Sequence, residues 1–558
     1  MTDLEPGDAA PGDPGIIAER ERLARTLRDT RLQLAMTEAR LAALEQSATM
    51  GIGRAVVNAA RRPWPRGALL PREIYRLWRE RSGGKEGATL AAQLAAAQLN
   101  DLAGAGERYL SALTVPGRPE LADPALTLAG QPDGAAGLVI AGALTALGCA
   151  TLAPDAVVHP LLPHDADVVL ESTGADLVLI QASALLAGSP WAHATDPAAA
   201  DRGRRLARLI VMARSLGKPV VLVRDVPPAL LPGLGWLAGS CDVVSDDGLG
   251  VQLARFNPIG LPDGRPTALV YAGTRDPREP PSLRAVLDEL TASGDVTLAA
   301  PRSWRGLPEL YRSHALFLAA TAAQAREQAA SGARVAGPVT GMPPGEAGAA
   351  LASARRGGPP SPAEVRASLR EIFAEHATPV RLAALASATG LPAGLVGGRQ
   401  ITVTAAAGSA ADAAALAASL TRQRLRPAEV IVSAGAVAET AAALAGLGDR
   451  GVAVRVVPSD GDMERAGHLA RLATSGWVAP LEAGRDYPAT YLAALACARE
   501  CSQADAVGVG PGDYEFTRSL VPALARRELL GPDAPPPGTW GSHGLRLFSV
   551  SGDDEEKE

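Results

Sequence analysis

Two short runs decide the fold class: Ala175-Asp176-Leu177-Val178-Leu179-Ile180 and Pro219-Val220-Val221-Leu222-Val223, with a helical pattern over 201–216 between them. Each run is apolar, rich in branched side chains and too short for a helix. That is how a strand buried on both faces of a parallel sheet reads. Working outward, Asp167-Val168-Val169-Leu170, Asp242-Val243-Val244 and Ala268-Leu269-Val270-Tyr271 have the same character, and 281–290 is again helical. The uncharged stretch 134–154 is rich in Ala and Gly and reads as buried strand and helix. Strands alternating with helices imply a doubly wound α/β fold. Two Rossmann-like units are expected, 135–262 and 263–397, meeting where Gly260, Pro262 and Gly264 cluster. In such sheets ligands bind outside the carboxyl ends of the strands.

The alternation resumes after Gly397-Gly398. A third α/β unit over 398–530 is expected, with strands at Ile401-Thr402-Val403-Thr404, Glu429-Val430-Ile431-Val432 and 452–457 and helices at 410–420 and 438–447. The tail 531–558 is Pro-rich and then acidic, and is expected to be disordered.

Ahead of the α/β units, residues 1–15 are expected to be disordered. Residues 16–48 carry Leu27, Leu34 and Leu41 at seven-residue spacing, with Ile16, Leu23, Thr30, Thr37 and Leu44 as the companion series. That is a coiled-coil helix pattern, and it offers a route to a homo-oligomer through 16–48. An amphipathic helix packed on its own protein fits the same spacing. Residues 49–134 read as basic amphipathic and linker helices. Within them, 51–81 interleaves Arg54, Arg61, Arg62, Arg66, Arg72, Arg76, Arg79 and Arg81 with Ile52, Trp64, Leu69, Leu70, Ile74 and Trp78. This suits peripheral contact with an anionic membrane surface, or an ordinary solvated face.

The chain has 558 residues, 47% of them hydrophobic, with 54 basic against 60 acidic side chains and a net charge of −6. That balance argues against a nucleic-acid partner, and aromatic residues at 3% argue against stacking platforms for single strands. Lysine occurs only at Lys85, Lys218 and Lys557. The four cysteines, Cys149, Cys241, Cys497 and Cys501, are too few for a disulfide framework and read as structural thiols. No signal-peptide pattern or membrane-spanning run is read, so a cytoplasmic location is expected, with the inner membrane face as the peripheral site.

Generic catalytic motifs are missing: no P-loop, nucleophile elbow, zincin pair or EF-hand is found. Gly508, Gly510 and Gly512 do not match the dinucleotide fingerprint and read as a loop. His159, His164, Asp165 and Asp167 form a small polar cluster in a Pro-containing loop.

A family resemblance carries the reading further. Residues 137–390 resemble the spore-maturation glycosyltransferase-like family of bacteria. The similarity rests on Gly217-Lys218-Pro219-Val220-Val221-Leu222-Val223, Cys241-Asp242-Val243-Val244-Ser245-Asp246-Asp247 and Leu269-Val270-Tyr271-Ala272-Gly273-Thr274-Arg275. It also rests on Glu327-Gln328-Ala329-Ala330-Ser331-Gly332-Ala333-Arg334-Val335, similar to an "E-x-x-A-S-G-x-x-V" donor segment, and on a closing helix from Leu369 to Leu382 with Glu375-His376 and Arg381-Leu382. The resemblance implies a GT-B-like pair of domains binding a nucleotide-sugar donor. In it Glu327 accepts hydrogen bonds from ribose, Gly273 and Gly332 let the backbone approach the pyrophosphate, and Arg275 neutralises the departing diphosphate. Such a site needs no metal and no cofactor. His314 and His376 are candidates for a base by residue type alone.

Residues 400–520 resemble family-2 glycosyltransferases with a GT-A fold, through Gln423-Arg424-Leu425-Arg426-Pro427-Ala428-Glu429-Val430-Ile431-Val432 and Ser475-Gly476-Trp477-Val478-Ala479-Pro480-Leu481-Glu482-Ala483-Gly484-Arg485-Asp486-Tyr487. Those enzymes hold a divalent metal with an acidic cluster. Here only Glu482 and Asp486 are acidic and Arg485 intrudes, so a degenerate domain is expected. The implied function is transfer of a sugar from a nucleotide-sugar donor to a polysaccharide or lipid-linked acceptor, in cell-surface or spore-associated polysaccharide assembly. The alternative is a non-catalytic glycosyltransferase-like scaffold that oligomerises and binds a partner enzyme.

Overall fold

The computed structural model describes residues 137–550, apart from 227–230, 232, 274–280, 300–305, 341, 393–394, 397, 460–465, 511 and 532–533. The expected coiled coil at 16–48, the basic segment 51–81 and the acidic end 551–558 lie outside the described residues. The described chain falls into two compact units, 138–246 and 247–550. Among these residues no helix is long and apolar enough to cross a membrane.

The first unit runs β1 (Val139–Ala143), α1 (Ala146–Leu152), β2 (Val157–Pro160), α2 (Ala166–Ser172), β3 (Leu177–Gln181), α3 (Ala200–Ser215), β4 (Val220–Val223), α4 (Leu234–Gly239) and β5 (Val243–Ser245). The five strands are parallel, in the order β2-β1-β3-β4-β5. Every residue of β3 and β4 is buried, as the apolar runs predict. Helix α3 buries Leu206, Leu209, Ile210 and Ala213, a single stripe at helical spacing. It stops at Gly217, whose φ of +69° lets Lys218 N–H reach Ala213 O and Gly217 N–H reach Arg214 O, both at 2.9 Å.

The second unit contains two sheets. The smaller one is built from β6 (Leu269–Tyr271), α5 (Pro281–Ala292), β7 (Thr297–Leu298), α6 (Leu307–Ser313), β8 (Leu316–Leu318), α7 (Ala322–Ala330) and β9 (Arg334–Ala336), followed by α8 (Pro344–Gly357), α9 (Pro362–Glu371) and α10 (Thr378–Ala388). Its four strands are parallel in the order β7-β6-β8-β9. Helix α9 starts with a reciprocal capping box between Ser361 and Glu364. One π turn, Ile372–His376, joins α9 to α10.

The larger sheet is built from β10 (Ile401–Ala407), α11 (Ala410–Arg422), β11 (Glu429–Ala434), α12 (Val437–Gly448), β12 (Ala453–Pro458), α13 (Ala466–Leu472), β13 (Trp477–Pro480), α14 (Tyr491–Ser502), β14 (Ala506–Val509), β15 (Glu515–Thr517), β16 (Val521–Arg526) and β17 (Leu547–Ser549). Its order is β12-β11-β10-β13-β16-β14-β17-β15. The strands β10 to β13 are parallel, and β16 runs antiparallel to both of its neighbours.

The α/β class with parallel Rossmann-like sheets therefore stands. Four expectations are corrected. Asp167-Val168-Val169-Leu170 lies in helix α2 rather than in a strand, and its apolar run buries Val169 and Leu170 on one helical face. The first unit closes at Asp246 rather than 262, because Val251, Leu253 and Phe256 pack into the core of the second unit with Phe317 and Leu369. Residues 263–397 and 398–530 are not separate bodies. One core joins Phe317 and Phe373 to Val403 and Leu495, and Arg399 pairs with Glu500 while donating to the Phe373 carbonyl at 2.7 Å. The tail from 531 is not disordered throughout: Trp540 is fully buried, and β17 lies between β14 and β15. Pairing partners distant in sequence order this segment, which its local composition does not reveal.

Candidate functional site

In the smaller sheet the chain runs from β6 out to β7 and returns to β8 on the other side of β6, so the topological switch lies between β6 and β8. Gly273 stands just past the carboxyl end of β6, and its N–H bonds the Tyr271 carbonyl at 3.0 Å. A Cβ there would sit 2.7 Å from Cε1 of Tyr271, so any larger residue would have to displace that ring. At β8 the chain enters α7 through Thr321, whose hydroxyl accepts from Gln324 N–H at 3.2 Å. The Gln324 side chain accepts from Ala320 N–H at 2.7 Å and donates to Ala272 O at 3.4 Å, bridging the two strand ends. Arg275 lies within 274–280, outside the described residues.

Glu327 sits farther along α7 and is half-buried. It lies within electrostatic reach of Arg255 and of the Tyr311 hydroxyl. Burial pushes its carboxyl group up to about 7, and the attraction of Arg255 only partly offsets this. Tyr311 is pushed well up by burial first and by Glu327 second. Gln328 is fully buried next to Tyr311, without a well-directed hydrogen bond from its amide. A desolvated acid titrating near neutrality beside a specific cation has the signature of a functional group. Arg255 and Tyr311 come from other elements than Glu327 and carry no local motif in the sequence.

Gly332 does not join them. It lies on the turn from α7 into β9, at the amino edge of the sheet, with φ of +82° and a Leu261 methyl 2.8 Å from its would-be Cβ. Since β9 is parallel to β8, that turn is remote from a pyrophosphate approached by Gly273 at the carboxyl edge. Its glycine serves the turn and the Leu261 contact. His314 also precedes β8, its Nδ1 2.8 Å from the Ser313 hydroxyl and its ring edge-on to Phe317. His376 lies in the π turn, where Arg381 donates to its Nδ1 at 2.7 Å. Arg326, next to Glu327, feels the charges of Arg381, Asp247 and Glu371.

The other two sheets have switch points of their own. In the first unit, between β1 and β3, the Asp225 carboxylate accepts from Gln181 Nε2, Ser183 N–H and Ser183 Oγ at 2.7, 2.8 and 2.6 Å. Gln181 Oε1 in turn accepts from Thr145 N–H and Oγ1 at 3.0 and 2.9 Å. That network satisfies its own members. In the larger sheet, between β10 and β13, Asp412 accepts from Ser409 Oγ at 2.9 Å, and Gly408 and Gly484 stand beside the Asp412 carboxylate. The Tyr487 hydroxyl accepts from Glu482 N–H at 2.9 Å, Arg485 lies 5.4 Å from the Tyr487 ring, and Asp486 is paired with Arg422. Among the described residues no three His, Cys, Asp or Glu side chains are grouped to hold a metal ion.

No family model matches the chain, and no curated protein matches it. Among solved structures it is similar to the mannosyltransferase PcManGT of Pyrobaculum calidifontis in complex with GDP-Man and Mn2+, at 17% identity over 28% of this chain and 55% of that one, with a TM-score of 0.23. It is also similar to S. aureus TarS 1–349, at 14% identity over 28% of this chain and 58% of that one, again with a TM-score of 0.23. A nucleotidyl transferase from Methanothermobacter is matched at 17% identity over 27% of this chain and 86% of its own, with a TM-score of 0.21. The chain spans little more than half the length of the first two.

Proposed function

We propose that this chain is a glycosyltransferase-like protein that binds a nucleotide-sugar donor through residues 247–400, with Glu327 as the carboxylate that accepts a hydrogen bond from the ribose. The observation that carries this reading is Glu327 itself, half-buried beside Arg255 and Tyr311 and titrating at about 7. Near neutral pH such a group switches between a donor and an acceptor of hydrogen bonds, and its anion accepts two hydroxyl protons strongly in a desolvated setting. Gly273 and Arg275 flank the diphosphate in this scheme, and guanidinium charge takes the place of a metal at the departing phosphate. The acceptor is a polysaccharide or lipid-linked glycan of cell-surface or spore-associated assembly. Segment 51–81 holds the protein peripherally at the inner membrane face, and 16–48 joins copies of the chain. Gly332 is left out of the donor set on the geometry of its turn.

A ligand that binds only the native state raises its apparent stability. Thermal unfolding of the full chain with UDP-, GDP-, TDP- and CMP-sugars tests the proposal. A rise in Tm with one of them, equal with and without Mn2+ and lost in Glu327→Ala, is the expected result.

One observation favours the second reading, a non-catalytic scaffold, for residues 400–520. Asp486 is tied to Arg422 and Glu482 is exposed, so the two acids that would hold a metal on a diphosphate have other surroundings. No stabilisation by any of the four donors would extend the scaffold reading to the whole chain.

A further inference from the structure

Arg326 and Glu327 are neighbours in α7, yet they serve different surroundings. Arg326 belongs to a group gathered where α7, the π turn and the start of α10 come together. Arg381 donates one Nη to Nδ1 of His376 at 2.7 Å and holds the Asp247 carboxylate at 3.0 Å with the other. A guanidinium has no lone pair to offer, so Nδ1 is the acceptor and the His376 proton is on Nε2. Nε of Arg381 is buried and meets no hydrogen-bond acceptor. Arg326 lies within electrostatic reach of Arg381 and His376, whose Nε2 is 4.0 Å from a Glu375 carboxylate oxygen.

The backbone is built to hold this arrangement. Val251 N–H bonds His376 O at 2.9 Å, and Thr378 N–H bonds Val251 O at 3.1 Å, an isolated parallel bridge on either side of Ala377. Gly250, with φ of +84°, lets its chain lie against Thr378, where a Cβ would be 2.8 Å from the Thr378 nitrogen. The π turn is the kind of helix irregularity that recurs at functional sites.

The charges do not cancel in place. Arg381 and His376 are 15% and 19% exposed at the side chain, whereas their acidic neighbours Asp247 and Glu375 are 58% and 68% exposed and Glu371 is also exposed. Water screens these carboxylates more than it screens the Arg381 guanidinium. Burial and then Arg381 weigh against the charge on Arg326, with Asp247 and Glu371 opposing. Burial and then Arg326 and Arg381 lower His376, with Glu375 and Glu371 opposing.

We infer that Arg326, His376 and Arg381 form a binding site for a phosphate group. The two guanidiniums supply charge and fork geometry, and the neutral imidazole adds a third donor. Asp247 acts behind the site, fixing the plane of Arg381. The inference deepens the donor reading, on which the identity of the phosphate as part of a nucleoside diphosphate rests.

Titration calorimetry of the full chain with inorganic phosphate, pyrophosphate, UDP and GDP separates the two. The expected result is binding of pyrophosphate and of one nucleoside diphosphate, weakened at least tenfold by Arg326→Gln and by His376→Ala. Arg381→Lys keeps the charge and loses the fork, and is expected to weaken binding as well. Arg326 is outside the Asp247 pair, so its variant stands as the test even where an Arg381 variant fails to fold. Pyrophosphate binding that these variants weaken, with no binding of UDP or GDP, supports the phosphate site and removes uridine and guanosine donors from the donor reading. Binding of a nucleoside diphosphate that Glu327→Ala abolishes and Arg326→Gln leaves intact overturns the phosphate site and keeps the donor reading. Binding of none of the four probes overturns the site.

Discussion

Glu327 of α7 faces Arg255 from the stretch that follows the first unit, and burial outweighs the attraction of that guanidinium, so the carboxyl group titrates at about 7. An acid in this state is a liability for the fold unless it is used, and that tension yields the first prediction.

A glutamate in the unfolded chain titrates near 4.5. The folded value is higher, so between pH 4.5 and about 7 the native state holds more protons than the unfolded state. Stability then falls as pH rises through that window and is level above it. Glu327→Gln removes the effect. The variant is expected to match the wild type near pH 4.5 and to exceed it at pH 8 by on the order of 1–3 kcal/mol, after discounting for solvent access. Urea unfolding at both pH values checks this; an equal difference at both pH values contradicts it.

The Arg399–Glu500 pair ties residues 372–400 to the larger sheet through two N–O contacts of 2.9 Å, with Arg399 also lying 3.8 Å from the Phe373 ring centre. Glu500 is only 7% exposed at the side chain. Arg399→Ala leaves that carboxylate without its partner and is expected to cost about 3–5 kcal/mol. Replacing both partners together, Arg399→Met with Glu500→Leu, is expected to recover most of the loss. Urea midpoints of the single and double variants decide the matter.

Trp540 is fully buried against Ala506, Leu520, Ala525 and Leu547, and its indole N–H donates to Pro535 O at 2.7 Å. Trp540→Ala is expected to cost about 3–5 kcal/mol. Ending the chain at Leu530 is expected to unfold the larger sheet, while ending it at Val550 leaves thermal stability unchanged. Equal stability of the two truncations would mean that β17 is dispensable.

Gly250→Ala places a Cβ against the backbone of Thr378 at a positive φ. The expected loss is about 1–3 kcal/mol, from strain that the Val251–Ala377 bridge leaves no room to relax. A control, Gly264→Ala, has the same sign of φ but open space around it, and is expected to cost less. Thermal unfolding of the two variants compares them.

The sheets were legible in the sequence where burial on both faces leaves a continuous apolar run, as at Leu177–Gln181 and Val220–Val223. The strand at Leu547–Ser549 was not, because three residues after a proline-rich stretch carry no periodicity and are ordered by β14 and β15. The boundary near Pro262 was misread for a related reason. Pro and Gly mark a turn in either case, and only the packing of Val251 and Phe256 shows on which side of it the first unit ends. Glu327 and Gly332 share one sequence motif, yet Gly332 lies on the turn at the amino edge of the sheet. Arg255 and Tyr311 reach Glu327, and Arg381 reaches Arg326, from separate parts of the chain, and no spacing along the sequence encodes either meeting.

The most direct measurement is the affinity of the best-binding nucleotide sugar among UDP-, GDP-, TDP- and CMP-donors, by calorimetry of the full chain across pH 6 to 8.5. The account predicts metal-independent binding that weakens as Glu327 is protonated below about pH 7, and a Glu327→Gln variant that has lost both the affinity and its pH dependence. Binding that is flat with pH and indifferent to Glu327→Gln, or no binding by any donor, would contradict it.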